Sequence, residues 1–326
     1  MTASARPKLL ITRRWTDEAE RYLIERYDVT LNEDDRPMDV AALSQAMKDY
    51  DAILPTVTDT INATVVGTPG ARVKLIGNFG VGFNHIDIAA AQAAGITVTN
   101  TPDVLTDATA DLAILLMLMA TRRAGEGERE LREGRWTGWR PTHLLGQSVA
   151  GKTLGIVGFG RIAQAMAHRA HHGFGMHVAY YGRRRAPAEA EAACKARHVG
   201  DMDALLAESD VLSLHCPGGA ETHHLINEDR LAKMKPTAVI VNTARGTVVD
   251  EAALAAALRA NRIAAAGLDV YEREPVVHPD LVGLRNVVLL PHLGSATRET
   301  RTAMGLRVAR NVDLFFGGQP VQDKVV

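Results

Sequence analysis

Three polar stretches of the sequence contain residue types that bind anions and transfer protons. Arg245 lies in VNTARGTVVDEAAL, Glu274 in GLDVYEREP and His292 in LLPHLGSAT. Each stretch follows an apolar run that predicts a buried strand, so the three residues belong to different strand ends and not to one helix. Because open α/β sheets bind ligands at the carboxyl ends of their strands, we expect these side chains to contribute to one site.

A glycine-rich turn lies between a predicted strand and a predicted helix in KTLGIVGFGRIAQAMAHRA. Gly158 permits the tight turn, Gly160 lets the backbone approach a pyrophosphate, and Ala163 is small enough for helix–strand packing. The helix amino terminus adds free N–H groups for the anion. An ordinary strand-to-helix turn is the alternative, but this context favours dinucleotide binding.

The segment HVAYYGRRR follows the next predicted strand. An acidic residue at its end usually binds the ribose 2′-hydroxyl of NAD, whereas arginine accommodates the 2′-phosphate of NADP. Gly182 occupies the acidic position and Arg183 and Arg184 follow, so the sequence predicts a preference for NADP(H), with NAD(H) possible. The alternative is that these arginines are solvated loop charges, and we expect Arg185 to face water.

Strand-like and helix-like segments alternate along the whole chain, and this pattern predicts parallel sheets covered by helices. The chain of 326 residues also exceeds the usual size of one hydrophobic core. The alternation therefore predicts an α/β protein with two domains, one before and one after residue ~105, and the second has about the six strands of a dinucleotide-binding fold.

Residues 106–147 predict a dimerisation helix and arm within the second domain. Residues 106–123 read as a long helix with acidic residues first and arginines last, which complements the helix dipole. Residues 125–145 are polar, contain tryptophan and show little periodicity. An irregular segment of this length is unusual inside a compact domain, so we predict that it serves a partner subunit.

Composition excludes several other classes of protein. A net charge of −1 gives no overall attraction to nucleic acid. The longest apolar run, 112–120, is too short to cross a membrane, which predicts that the protein has no membrane segment. Cys194 and Cys216 form neither a disulfide framework nor a metal motif, which is typical of the cytoplasm. The histidines near 168–177 lack acidic or thiol partners, so no metal site is predicted.

The sequence resembles the D-isomer-specific 2-hydroxyacid dehydrogenase family over essentially its whole length. The resemblance rests on five motifs in order: VGFNHID, GKTLGIVGFGRIAQAMA, VNTARGTVVDEAAL, LDVYEREP and PHLGSAT. Within the family, the YYGRR loop and the GWRPTHLLG arm are most similar to those of glyoxylate/hydroxypyruvate reductases. Two departures are Ala163 in place of a more usual glycine and Asn84 in place of a frequent aspartate.

The resemblance implies an α/β fold of two doubly wound parallel-sheet domains, in which a Rossmann cofactor domain, 104–291, is inserted into a flavodoxin-like substrate domain, 1–103 plus 292–326. A small 2-oxoacid would bind between the domains and be reduced by hydride transfer. Arg245 would bind its carboxylate and carbonyl oxygens, and the N–H groups of Val81 and Gly82 would bind the carboxylate from the other side. His292 would donate a proton to the carbonyl oxygen, and Glu274 would orient and charge the imidazole.

The resemblance also implies the wider site. Thr109 and Asp269 are expected near the nicotinamide, and Trp139 either packs the arm or reaches the partner subunit's substrate pocket in a homodimer. The residues expected to bind the cofactor are Thr109, Gly158, Phe159, Gly160, Arg161, Ile162, Gly182, Arg183, Arg184, Cys216, Pro217, Thr222, Thr243, Ala244, Arg245, Asp269, His292 and Gly294. The residues expected to bind substrate are Leu54, Val81, Gly82, Trp139, Arg245 and His292.

Two alternative functions remain open from the sequence. One is an NAD-linked D-2-hydroxyacid dehydrogenase of the same family. The other is a nucleotide-sensing protein of the corepressor type, which would bind the cofactor without turnover.

Overall fold

The computed structural model describes residues 6–326 and divides the chain into two compact units. The first unit contains the residues up to Leu105 together with Ala296–Val326, and the second contains Thr106–Ser295. These divisions fall a few residues C-terminal to the predicted boundaries. His292 therefore lies in the second unit, with Arg245 and Glu274.

The first unit is built on a parallel sheet of five strands in the order β2-β1-β3-β4-β5. The strands are β1 (Lys8–Ile11), β2 (Asp28–Leu31), β3 (Ala52–Leu54), β4 (Leu75–Gly77) and β5 (Thr97–Thr99). The helices between them are α1 (Asp17–Ile24), α2 (Val40–Asp49), α3 (Ala63–Val66) and α4 (Ile88–Ala93). Asp39, Asn62 and Asp87 cap the last three helices by accepting backbone N–H bonds, as short polar side chains do at helix starts.

The second unit contains a parallel sheet of seven strands in the order β12-β11-β10-β9-β6-β7-β8. The strands are β6 (Thr153–Val157), β7 (His177–Tyr181), β8 (Arg197–His198), β9 (Val211–Leu214), β10 (Val239–Asn242), β11 (Ala265–Leu268) and β12 (Val287–Leu289). The strand order reverses between β6 and β9, which is where doubly wound sheets bind ligands. The predicted fold class is confirmed. The two-residue strand β8 was missed, because so short a segment has no periodicity to detect.

Helices cover the sheet of the second unit. They are α5 (Thr106–Thr121), α6 (Ala124–Arg132), α7 (Arg161–Phe174), α8 (Ala188–Ala192), α9 (Met202–Glu208), α10 (Glu228–Leu231), α11 (Glu251–Arg259) and α12 (Pro279–Val282). The expectation of an irregular segment from 125 was wrong for its first part, where α6 forms. Gly125 and Gly127 lower the helix propensity there, but an ion pair between Glu128 and Arg132 supports the helix surface.

The chain returns to the first unit as α13 (Arg298–Phe316), which contacts α1 and β4. Val308, Ala309 and Val312 are buried there, so the last helix completes the core of that unit. Throughout residues 6–326, no helix combines the length and the apolar character needed to cross a membrane.

Candidate active site

The turn between β6 and α7 contains two positions, Gly158 and Gly160, where the absence of a side chain matters. Gly158 has φ +83°, and a Cβ atom there would lie 2.8 Å from the backbone nitrogen of Cys216. Gly160 is the N-cap of α7, and a Cβ there would meet no other atom within 4 Å. The first glycine is thus required by the fold, whereas the second leaves open space for a ligand.

Helix α7 begins directly after this turn at Arg161 and Ile162, so their backbone N–H groups lie in its first turn. These groups have no acceptor within their own helix and carry the positive end of its dipole. Phe159 stacks on Tyr180 with ring centroids 4.1 Å apart, which joins the turn to β7. The sequence therefore folds locally into an anion site of the kind that binds pyrophosphate.

The loop after β7 is held by a buried hydrogen-bond network. The Tyr180 hydroxyl donates to Glu191 over 2.6 Å, and Arg185 forms an ion pair with the same carboxylate. The hydrogen bond from Arg185, together with that from Tyr180, lowers the pKa of Glu191 to about 2. The expectation that Arg185 faces water was therefore incomplete. Its side chain is 71% exposed, but its guanidinium forms an ion pair with the Glu191 carboxylate, whose side chain is 11% exposed.

Arg183 and Arg184 are exposed and follow Gly182 in this loop. Arg183 forms an ion pair with Glu221 over 2.6 Å, and more than three quarters of each side chain is exposed. Exposed pairs of this kind contribute about 0–1 kcal/mol. Arg183 can therefore exchange this partner for another anion.

The loop after β9 packs against the glycine turn at Cys216 and against the loop after β10 at Arg245. The Thr222 hydroxyl donates to the carbonyl oxygen of Pro217 over 2.7 Å and closes the first loop. Burial raises the pKa of the Cys216 thiol to about 11, which disfavours the thiolate that a nucleophilic cysteine needs.

In the second of these loops, the Ala244 N–H donates to the side chain of Asn242. The buried Thr243 hydroxyl has no hydrogen-bond partner among the described residues. Such a group usually needs a partner, so it fits the predicted contact with a dinucleotide.

Thr109, Asp269 and Gly294 form a connected group. Both Asp269 carboxylate oxygens accept backbone N–H bonds, from Leu293 over 2.6 Å and from Gly294 over 2.8 Å. The Thr109 hydroxyl donates to the Gly294 carbonyl oxygen over 3.1 Å. Burial, opposed by these N–H bonds, raises the pKa of Asp269 to about 6. This group fixes the turn that follows His292.

His292 and Glu274 are joined by a hydrogen bond of 2.7 Å between Nδ1 and a carboxylate oxygen. The other Glu274 oxygen accepts the Tyr271 N–H, so the carboxylate is held at both ends. Burial raises the pKa of Glu274, but the bond to His292 and its charge outweigh burial, and the pKa lies below its ordinary value. His292 itself has φ +54°, a left-handed conformation that its N–H bond to the Asp269 carbonyl oxygen supports.

Arg245 lies between β10 and α11, and its side chain is largely enclosed. One guanidinium nitrogen donates to the Ala244 carbonyl oxygen over 2.7 Å. Burial lowers the pKa of Arg245, and the Glu274 carboxylate opposes that effect. Arginine stays charged in proteins, so the second unit presents a desolvated cation in electrostatic reach of the His292–Glu274 pair.

The predicted substrate residues of the first unit have different environments. Val81 and Gly82 are half-buried, and their carbonyl oxygens accept hydrogen bonds from the amide side chains of Asn100 and Asn78. Leu54, in contrast, is fully buried in the core of its own unit. Its side chain is enclosed by the sheet and α13, and its contact with a substrate stays a prediction.

Trp139 lies in the arm after α6 with 82% of its surface exposed. Its partner subunit contact stays a prediction. Across the described range, 6–326, no group of histidine, cysteine and carboxylate side chains could hold a metal ion.

Sequence reasoning missed several carboxylates that organise the site, namely Glu191, Glu221, Glu251 and Glu272. Glu221, Glu251 and Glu272 have partners 21 or more residues away, whereas Glu191 pairs with Arg185 and Tyr180 of the preceding loop and strand. No motif spacing could have identified them.

Comparison with known proteins identifies the relatives of this chain. The family description "D-isomer specific 2-hydroxyacid dehydrogenase, NAD binding domain" matches residues 114–294. A curated protein from Thermococcus litoralis named glyoxylate reductase is 45% identical over 318 residues, covering 96% of this chain and 95% of that protein.

Two solved structures cover nearly the whole chain. A D-isomer specific 2-hydroxyacid dehydrogenase from a Polaromonas species is 38% identical, with a TM-score of 0.92 and coverage of 98% of this chain and 100% of that one. An NADPH-dependent glyoxylate/hydroxypyruvate reductase from Sinorhizobium meliloti, solved with NADP and malonate, is 35% identical, with a TM-score of 0.87 and coverage of 99% and 97%.

Proposed function

The chain belongs to the D-isomer-specific 2-hydroxyacid dehydrogenase family, and from this premise we propose that it is an NADPH-preferring reductase of small 2-oxoacids such as glyoxylate and hydroxypyruvate. The observation that carries the proposal is the 2.7 Å hydrogen bond between His292 and Glu274, with the Arg245 cation in reach. Relatives with this reductase activity in their names support the choice of substrate.

The proposed reaction adds a hydride and a proton to a ketone or aldehyde carbonyl. NAD(P)H supplies the hydride to the carbonyl carbon when bound. Arg245 binds the substrate carboxylate, because its planar fork of donors matches a carboxylate better than lysine does. Val81 and Gly82 remain predicted donors to that carboxylate.

His292 has the proton-transfer role in this proposal. Its Nδ1 is engaged by Glu274, which leaves Nε2 to deliver a proton to the oxygen as negative charge develops. The Glu274 carboxylate fixes the orientation of the imidazole through this hydrogen bond. The same histidine accepts the proton in the reverse direction.

The proposed cofactor preference rests on the loop after β7. Gly182 carries no carboxylate to repel a 2′-phosphate, and Arg183 is exposed and held only by a surface ion pair. The turn at Gly158 and Gly160 and the unpartnered hydroxyl of Thr243 fit the rest of a dinucleotide. NADH remains the second candidate, because Glu221 already neutralises part of the Arg183 charge.

The test of this function is a steady-state assay of glyoxylate, hydroxypyruvate, pyruvate and 2-ketogluconate, each with NADPH and NADH. We expect the highest kcat/KM with glyoxylate or hydroxypyruvate and NADPH. Higher kcat/KM values with NADH would favour the NAD-linked alternative. Tight cofactor binding without turnover of any oxoacid would favour the nucleotide-sensing alternative.

We also propose that the protein is a homodimer that uses residues 106–147. Five large apolar side chains of this segment are exposed: Leu115, Leu131, Trp136, Trp139 and Leu145. Exposed apolar surface of this kind usually marks an interface. Sedimentation equilibrium should give twice the chain mass of 35.2 kDa, and Leu131→Glu should shift it toward the monomer, whereas a wild-type monomer would refute the proposal.

A cytoplasmic location is proposed on the basis of cysteine chemistry. Cys194 and Cys216 are free and buried. Free thiols are usual in a reducing compartment.

A further inference from the structure

The turn that follows Arg245 is in direct backbone contact with the segment that leads to Glu274. A Cβ atom at Gly246 would lie 1.8 Å from the Tyr271 carbonyl carbon and 2.3 Å from the Glu272 nitrogen. Only glycine permits this approach without displacement of one segment. The two proposed catalytic loops are therefore packed against each other as backbones.

A reciprocal pair of hydrogen bonds joins the same two segments. The Glu251 N–H donates to the Glu272 carboxylate over 2.9 Å, and the Glu272 N–H donates to the Glu251 carboxylate over 2.9 Å. Glu251 is the first residue of α11 and is buried, with 5% of its surface exposed. We refer to Glu251 and Glu272 as the carboxylate clasp.

The clasp brings negative charges together at the edge of a cavity of about 350 Å³. Burial raises the pKa of Glu251, and the nearby Glu272 carboxylate raises it further. His224 lies against the clasp, with its Nε2 atom 3.2 Å from Glu272 and its Nδ1 atom 3.8 Å from Asp250. His278 also faces Glu251. Burial of carboxylates lowers the stability of the fold unless they accept hydrogen bonds. Here each carboxylate accepts the backbone N–H of the other glutamate, and the Glu272 segment continues to Glu274.

The clasp holds the peptide next to the one that binds Glu274. The Tyr271 N–H binds Glu274, and the next N–H along the chain, that of Glu272, binds Glu251. The position of the Glu274 carboxylate relative to His292 thus depends on backbone that the clasp holds.

We propose that the Glu251–Glu272 clasp is a positioning device that holds Glu274 against His292 and keeps the Arg245 turn in register with them. The inference rests on the proposed function, because it concerns the residues that carry the proposed proton transfer. Glu251 and Glu272 are positioning residues and touch neither substrate nor cofactor in this assignment.

Glu272→Ala tests the clasp in the full-length enzyme. We expect kcat with glyoxylate to fall about 10–100-fold, as is typical when an outer support of a site is removed. The KM for NADPH should stay unchanged, because the glycine turn lies on other loops. Glu272→Gln should restore most of the activity, since its amide oxygen can still accept the Glu251 N–H. Glu228→Ala, at an exposed carboxylate of the same unit, is the control.

The pH profile separates positioning from a general structural role. The charged groups near His292 are Glu274 and Asp269, with Arg245 acting through Glu274. The hydrogen bond to His292 and its charge hold the pKa of Glu274 below its ordinary value. If Glu274 loosens, that pKa should rise, so the acidic limb of kcat/KM, which needs ionised Glu274, should move to higher pH in Glu272→Ala. A lower kcat with an unmoved limb, or no rescue by glutamine, overturns the inference. If the alanine variant unfolds, Glu272→Asp gives the same readout, because it withdraws the carboxylate by one methylene.

Glu274→Gln, measured in parallel, distinguishes failure of the clasp inference from failure of the role proposed for Glu274. If Glu274→Gln moves the limb and Glu272→Ala does not, the clasp inference alone fails. If Glu274→Gln changes neither kcat nor the limb, the proton-transfer role of the His292–Glu274 pair fails together with the clasp inference. The proposed function itself fails only if the unaltered enzyme turns over no 2-oxoacid. We expect the double variant to be no slower than Glu274→Gln, because residues that act through one group are not additive.

Discussion

Replacement of His292 by alanine is expected to lower the turnover of a 2-oxoacid by about 10²–10⁴-fold, the usual contribution of a positioned general acid. Reduction creates negative charge on the carbonyl oxygen, and without the imidazole only water can supply the proton. The Glu274 carboxylate would then remain near the reacting oxygen without its partner and would oppose the developing charge. NADPH binding should persist, because the glycine turn and the loop after β7 are unaffected.

The measurement is a single-turnover reaction followed by NADPH absorbance at saturating cofactor, which separates the chemical step from product release. His177→Ala is the matched control, since His177 is an exposed histidine at the start of β7. Near-normal single-turnover rates in the His292 variant would remove this residue from the proton transfer.

Replacement of Arg183 by alanine is expected to raise the KM for NADPH and leave that for NADH nearly unchanged. A charge-assisted hydrogen bond contributes about 1.5–3 kcal/mol, which corresponds to roughly 10–150-fold in affinity. The 2′-phosphate is the only part of NADPH that NADH lacks, so a contact with it must act on one cofactor alone. The ion pair with Glu221 adds a second expectation. Glu221→Gln should strengthen NADPH binding, because it removes the carboxylate that competes for Arg183.

Fluorescence titration with each cofactor, together with KM values, tests this assignment. Arg185→Ala is the control in the same loop, because Arg185 is bound to Glu191 and should affect both cofactors alike. Equal losses of NADPH and NADH binding in the Arg183 variant would rule out Arg183 as the selector.

Much of the site could be predicted from the sequence because its elements are local. The GFGRIA turn specifies its own geometry, since Gly158 must adopt φ +83° and α7 begins within three residues. Arg245, Glu274 and His292 each follow a buried strand of one sheet, and parallel strands bring their carboxyl ends to the same edge. The alternation of strand-like and helix-like segments, which hydrophobic periodicity displays, was likewise sufficient to predict the α/β fold class.

Side-chain pairing across distant loops was decided only by the tertiary structure. Arg183 forms an ion pair with Glu221, and Glu251 exchanges hydrogen bonds with Glu272. Leu54 gives a further case, since the resemblance implied a substrate contact, whereas the structure encloses its side chain in the core of its own unit.

The physical reason is the range of the interactions involved. Backbone conformation and the succession of strands and helices depend on neighbouring residues and on hydrophobic period, which a sequence displays directly. A carboxylate's partner depends on where separate loops pack in space, as Gly246 does against the Tyr271 backbone. The sequence by itself therefore determined which chemical groups this protein has at its strand ends, and the tertiary structure decided which charges neutralise, position or compete with them.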